Sequence, residues 1–297
     1  ANPCFYPPNL KPAKGVTDCM YSCALSDAAL SCLLAEDVPF GDLTTESLGL
    51  RGRLGRLEFH ARGAMTVCGV EEAVRLFALA GANACLVIPS GVAVESDALL
   101  LTAEGPAEAL HRAWKTAQTL MEWASGIASG AAALVRVAPP VPVGCPRKNA
   151  PGTKALSIKA IQAGGAIAHR LGLSETLLVF AEHRLFLDES PSAAIARLRN
   201  RQPEKKIVVE VVSADEALTW ARAGADVLQL EKFTPAGLSA CRARLEAEGL
   251  RPVLVAAGGV RVENAADYVA AGAAMIATSA PYHAAPRDVR VRFFKAA

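Results

Sequence analysis

Residues 207–230 read IVVEVVSADEALTWARAGADVLQL. An apolar run is followed at Ser213 by a helix-opening signal, with Asp215 and Glu216 in the first turn. Ser accepts from backbone N–H groups at a helix start, and acidic residues there favour the positive end of the dipole. Gly224 closes the helix, and a second apolar run begins at once. A strand, a capped helix and a strand with little polar alternation describe one unit of a parallel sheet, buried on both faces.

Working outward, the same unit recurs. Apolar runs at 142–145, 166–169, 177–181, 207–212, 226–230, 252–257 and 274–278 predict seven strands. Helical patterns at 154–163, 190–200, 214–223, 234–248 and 262–271 lie between most of them. So many strand–helix units predict an α/β barrel, closed on itself.

The chain before 142 reads differently. Residues 26–37 and 69–81 are helical, while 51–69 and 91–107 are rich in strand signals. A long helix is expected over 107–135, and its run ASGIASGAAALV (124–135) predicts close packing through small residues. The stretch 37–45, DVPFGDLTT, reads first as a capped turn at Asp42. RDVRVRFF (287–294) alternates like a strand that returns to the first part. Two domains follow: 20–130, an α/β sandwich completed by about 284–297, and 131–283, the barrel. Residues 1–19 differ in character from the rest, and Met20 is a candidate natural start.

Bulk chemistry narrows the function. Hydrophobic residues make up 52% and aromatics 5%, so the core is aliphatic and the chain is not disordered. With 31 basic and 29 acidic side chains the net charge is +2, which gives no general attraction to nucleic acid or to a membrane surface. Eight cysteines without a C-x-x-C pair read as free thiols in a reducing, cytoplasmic compartment. No apolar run reaches spanning length, and no leader pattern opens the chain.

In parallel barrels the reactive groups collect at the C-terminal strand ends. Those ends here carry Arg147 and Lys148, His169 and Arg170, Glu182 and His183, Glu210, Glu231, Gly258 and Gly259, then Thr278 and Ser279. Each has a plain alternative. Arg147 and Lys148 are either a solvated pair or, in their proline frame CPRKNAPGTK (145–154), a stiff anion clamp. Glu210 sits between valines, where a carboxylate is costly unless a cation or metal meets it. Glu231 can pair at the surface, and Gly258-Gly259 is either a tight turn or a phosphate cradle.

The run PRKNAPGTKALSIKAIQAGGAIAHRLGLSETLLVFAEH (146–183) resembles the core of the quinolinate (nicotinate-nucleotide) phosphoribosyltransferases of the type II fold. EDVPFGDLTT (36–45), ASGIAS (124–129), LQLEKF (228–233) and AAGGV (256–260) follow in family order, and the branch most similar is ModD, associated with molybdenum transport. The resemblance implies transfer of ribose 5-phosphate from phosphoribosyl pyrophosphate, with Mg²⁺, to a ring nitrogen. It implies Lys148 on pyrophosphate, Arg147 on an anion, and His169 and Arg170 toward the acceptor. Glu210 and Glu231 would hold ribose hydroxyls or the metal, and Gly258 and Gly259, with Ser279 beside them, the 5-phosphate. It further implies a homodimer with the active site at the subunit interface, and allows a higher oligomer.

Departures point to a different acceptor. Trp123 stands where the family has an arginine reaching into the partner's site, and Phe180 where it has a lysine; His183 lies beside Phe180. Glu231 replaces an aspartate, Ala257 a serine and Asn149 a threonine. Losing two cations disfavours a dicarboxylate, since each charge-assisted bond is worth roughly 1.5–3 kcal/mol. The expectation is a small-molecule phosphoribosyltransferase with an acceptor other than quinolinate, with Trp123 and Phe180 against its ring. A non-catalytic molybdate-type oxyanion binder and a true quinolinate enzyme remain the alternatives.

Overall fold

A computed structural model describes residues 22–296 of the chain; the candidate start at Met20 and the segment before it lie outside them. The chain divides into two compact units. The first holds the residues up to Ser129, Gly152–Gly164 and the chain from Ala284; the second holds Gly130–Pro151 and Gly165–His283.

In the first unit, α1 (Asp27–Asp37) is capped by the Ser26 hydroxyl, and α2 (Leu43–Ser47) by Asp42. The Asp42 carboxylate accepts from the Thr44 and Thr45 backbone N–H groups, both at 3.1 Å, so 37–45 is the capped turn its sequence describes. There follow β1 (Leu54–Ala61), β2 (Met65–Thr66), α3 (Val70–Ala80), β3 (Asn83–Leu86), β4 (Ala93–Val94), β5 (Leu99–Pro106) and the long α4 (Ala107–Val137). Strand β1 turns Leu57, Phe59 and Ala61 inward at every second residue, and Phe59 meets Phe77 of α3 edge-on at 5.9 Å. Together they form the middle of the core.

The small residues of α4 have identifiable tasks. Ser125 and Ser129 accept from the Cys68 and Thr66 backbone N–H groups at 2.9 and 3.0 Å. A Cβ on Gly126 would stand 2.5 Å from the Ala285 carbonyl oxygen, so the returning chain passes where only glycine leaves room.

In the second unit β6 (Val143–Cys145) comes first, and then α5 (Lys154–Ala163) is taken into the first unit. The reason is electrostatic. The buried Lys159 ammonium donates to Glu72 at 2.6 Å and to Glu71 at 2.9 Å, both on α3. Burial alone would push the Glu71 carboxyl up, but the Ser90 hydroxyl and the Lys159 ammonium hold it below the usual range. Back in the second unit are β7 (Ile167–Ala168), β8 (Leu177–Val179), a short α6 (Ala181–Arg184), α7 (Pro191–Arg201) and β9 (Ile207–Val211). Then come α8 (Ala214–Arg222), β10 (Val227–Glu231), α9 (Pro235–Ala247), β11 (Val253–Ala257), α10 (Ala265–Ala270) and β12 (Met275–Ala277). Ser190, Ser213 and Thr234 cap α7, α8 and α9 with their hydroxyls.

Seven strands form one parallel sheet in the order β7-β6-β12-β11-β10-β9-β8. This is the α/β barrel architecture, but it is not closed as expected. Strands β7 and β8, two and three residues long, are its two ends and are not paired with each other. Helix α10 also begins later than predicted, because the Asn264 side chain accepts from Arg261 N–H at 2.7 Å and holds that turn out of the helix. The last strand, β13 (Val289–Lys295), pairs antiparallel with β1 and completes the sheet β13-β1-β5-β3 of the first unit. That return is the one the alternation at 287–294 predicts. Among the described residues no helix is long and apolar enough to cross a membrane.

Replacing Lys159 by Met leaves Glu71 and Glu72 buried without their cation. A loss of about 3–5 kcal/mol in urea unfolding is expected, and a loss under about 1 kcal/mol would show that water takes its place.

Candidate active site

The site begins as an alternation within the sheet. On β9, Ile207, Val209 and Val211 are buried, while Val208 and Glu210 share the other face. Val208 packs on the cluster of Val227, Val255, Ala257 and Ala277. Glu210 is therefore one step further along the same face, beyond the apolar floor. Its register partner on β10 is Gln229, which is followed on that face by Glu231. The Gln229 amide donates to the Glu210 carboxylate at 2.6 Å. Ala257 and Ala277 are neighbours in the ladder and too small to fill the space above them.

A cavity of about 630 Å³ occupies that space. Its cationic side is Arg147, Lys148, Arg170 and Arg261, and its carboxylates are Glu182, Glu210 and Glu231. Arg147 and Lys148 are exposed in the loop after β6, and among the described residues neither is in an ion pair. Arg170 is 8% exposed, with its guanidinium carbon 5.3 Å from the centre of the Phe180 ring.

Beyond the carboxylates the chain turns at Gly258 and Gly259, with φ of 81° and 85°. A Cβ on Gly258 would lie 2.7 Å from the Glu231 carboxylate and 2.8 Å from the Lys232 nitrogen, whereas Gly259 faces open space. The buried Thr278 hydroxyl donates to the Val260 carbonyl at 2.7 Å and accepts from Ala280 N–H at 3.1 Å. Two backbone turns, including the one bearing Ser279, are thus tied together beside the cavity.

The electrostatics follow from this crowding. Burial pushes the Glu210 carboxyl above its ordinary value, the Glu231 charge adds to the rise, and the Gln229 hydrogen bond works against it. Burial, with the Arg170 charge next to it, pushes the His169 imidazole down, so it is neutral at neutral pH. Burial and the nearby Arg147 also lower Arg170, which remains a cation. Carboxylates crowded together and cations left without carboxylates suit a ligand that carries both anions and hydroxyl groups.

Most of the residues read from the sequence line this one cavity: Arg147, Lys148, His169, Arg170, Phe180, Glu210, Glu231, Gly258, Gly259 and Ser279. His183 does not line it; its Nδ1 accepts from Phe180 N–H at 3.0 Å and its ring stacks on Phe180 at 5.7 Å. Trp123 belongs to a separate cavity of about 580 Å³ in the first unit, beside Leu120, Thr153 and Leu156. Sequence reading gives no role to Gln229, Glu182 or Arg261. Gln229 had a signal, a polar residue at an alternate position of an apolar strand. Arg261, in a loop after two glycines, had none.

A strand-end cavity with unpaired cations, neighbouring carboxylates and an open glycine turn is a candidate small-molecule site of an α/β barrel. Residues 127–292 match the quinolinate phosphoribosyl transferase C-terminal domain, and residues 42–125 match the N-terminal domain of that family. The chain belongs to the quinolinate phosphoribosyltransferase family, and so to the type II phosphoribosyltransferases, which are pentosyltransferase enzymes. The ModD pyrophosphorylase of Rhodobacter capsulatus, a name that carries an assigned rather than a demonstrated activity, is 53% identical over 82% of this chain and 95% of its own. The ModD of Escherichia coli O157:H7 is 39% identical over 92% of this chain and 98% of its own. Among solved structures, NadC from Streptococcus pyogenes aligns with a TM-score of 0.83 at 22% identity, over 91% of this chain and 97% of that one. The nicotinate-nucleotide pyrophosphorylase of Francisella tularensis gives 0.82 at 20%, over 91% and 98%.

The raised Glu210 carboxyl sets a pH signature. Its stabilising contribution is complete below the ordinary glutamate range and is lost as pH rises through the higher folded-state value. Glu210→Gln is therefore expected to melt above wild type at neutral pH, with the gap closing as the pH is lowered. Thermal unfolding across that range checks it, and a gap that widens toward acid would refute the crowding.

Proposed function

We propose that this chain transfers ribose 5-phosphate from phosphoribosyl pyrophosphate, with Mg²⁺, to the ring nitrogen of an aromatic or heterocyclic acceptor other than quinolinate. One observation carries the reading: the cavity sets unpaired cations against Glu210 and Glu231 beside the open Gly258-Gly259 turn. Lys148 takes the pyrophosphate and Arg147 an anionic group of either substrate. Glu210 and Glu231 hold the ribose hydroxyls, and Gly258, Gly259 and Ser279 hold the 5-phosphate. His169 and Arg170 face the acceptor. Positive charge develops at the anomeric carbon as pyrophosphate leaves, so a site with anionic and cationic halves opposes both charges as they separate.

The donor set suits Mg²⁺. Among the described residues no group of three metal-ligating side chains converges. The ion would be held through Glu210, Glu231 and substrate oxygens, in keeping with its preference for oxygen ligands and retained water. When bound it supplies charge neutralisation on the pyrophosphate.

Phe180 supports an acceptor other than quinolinate, because its ring puts an apolar wall where the resemblance places a lysine. The carboxylates argue against a bare oxyanion as ligand, since they repel it. The homodimer with an active site at the subunit interface rests on the family resemblance, and Trp123 lines a cavity of its own unit. A reducing cytoplasmic setting agrees with the free cysteines among the described residues. The link to molybdenum transport or cofactor supply rests on the name of the ModD relatives.

Calorimetry with phosphoribosyl pyrophosphate and Mg²⁺ tests the reading. Binding is expected, weakened about 10- to 100-fold in Lys148→Ala, the equivalent of one charge-assisted bond. No binding at millimolar donor would sink it. Quinolinate turnover indifferent to Trp123→Arg would overturn the acceptor argument.

A further inference from the structure

Two opposite charges line the cavity near the end of β8 and do not meet. Arg170 is 8% exposed as a residue, its guanidinium nitrogens open onto the cavity, and among the described residues no carboxylate or carbonyl accepts from them. Glu182, in the first turn of α6, lines the same cavity and has no cation paired with it among the described residues. Glu210 lines the same cavity as Arg170 and Glu182. Between them in the chain stands Phe180, its ring beside Arg170 and stacked on His183.

A partly desolvated guanidinium that faces a cavity with no fixed acceptor favours an entering anion. A carboxylate at the same wall repels a second anion and accepts from an N–H group. A pyridine nitrogen reacts through a free lone pair and has no proton to lose, so a site built for it has no use for a base. An N–H nitrogen must lose its proton as it forms the new bond.

We infer, resting on the phosphoribosyl-transfer reading above, that Glu182 is the proton acceptor for a planar lactam- or azole-type heterocycle that carries one anionic group for Arg170. In the step, the nitrogen forms a bond to the anomeric carbon of the donor. The carbon–oxygen bond to pyrophosphate breaks and its electron pair leaves with the pyrophosphate. The N–H proton passes to the Glu182 carboxylate and on to solvent. Phe180 supplies an apolar wall beside the Arg170 anchor.

Nicotinate and 6-hydroxynicotinate test this, because each carries one carboxylate and only the second, in its oxo form, has a ring N–H. Pyrophosphate release with phosphoribosyl pyrophosphate and Mg²⁺ is expected to be faster with 6-hydroxynicotinate. Glu182→Gln is expected to lower kcat for that acceptor by about 10²- to 10⁴-fold. Donor binding by calorimetry stays unchanged in that variant, and Glu182→Asp restores part of the rate. An unchanged kcat in Glu182→Gln, or equal slowing with both acceptors, overturns the proposal. So does donor binding without turnover of any member of a panel of N–H lactam and azole monocarboxylates. Failure of the wild type to bind donor is a different result, which removes the phosphoribosyl-transfer reading and this inference with it.

Discussion

Glu210 is held by the Gln229 amide across two parallel strands, at 2.6 Å, with the Glu231 charge near enough to push its proton affinity up. Much of the second unit serves to make that arrangement tolerable. The apolar layer of Val208, Val227 and Val255 lies along the same inner face and fixes the strands, so Glu210 cannot turn away from the cavity. The small Ala257 and Ala277 leave the volume in which a ligand can compensate the charge. A carboxylate kept beside another one in a cavity costs the folded protein stability.

The cationic half obeys the same logic by another route. Arg147 and Lys148 are set in a loop stiffened by Pro146 and Pro151, so less freedom remains to be lost when an anion binds. Arg170 is instead buried, with an aromatic ring in place of a carboxylate. An arginine balanced by a fixed glutamate would be neutralised before any substrate arrived. Beside Phe180, Arg170 has no ion-pair partner among the described residues, and cation–ring attraction offsets part of the desolvation. A few side chains on the β8 side, Arg170 and Phe180 among them, give this cavity its own character.

The first unit solves a packing problem. Lys159 lies under α5 with both its carboxylates on α3, and each further acceptor of those carboxylates is filled by Ser90 or by a backbone N–H. Such a cluster is stable only because every member is satisfied. The serines of α4 hold β2 and the chain after it: Ser129 accepts from Thr66 N–H, and Ser125 accepts from Cys68 N–H and donates to the Cys68 carbonyl.

The periodicity of the sequence settled much. Capped helices such as 214–222 and the valine-rich strands around them can pack only as a parallel sheet, because both strand faces are apolar. That sheet brings Arg147, Glu210, Glu231 and Gly258 to one end, since all of them follow or finish strands that point the same way. The edges were not legible: whether β7 and β8 close the barrel depends on two very short strands whose pairing no local pattern encodes. Nor was α5 legible as part of the first unit, because Lys159 and Glu72 stand 87 residues apart. The sequence by itself determined the strands, their direction and the kinds of group at their ends. Which of those groups pair and which stay open to a ligand was decided only by the tertiary structure, because pairing depends on distances between residues that chain order leaves far apart.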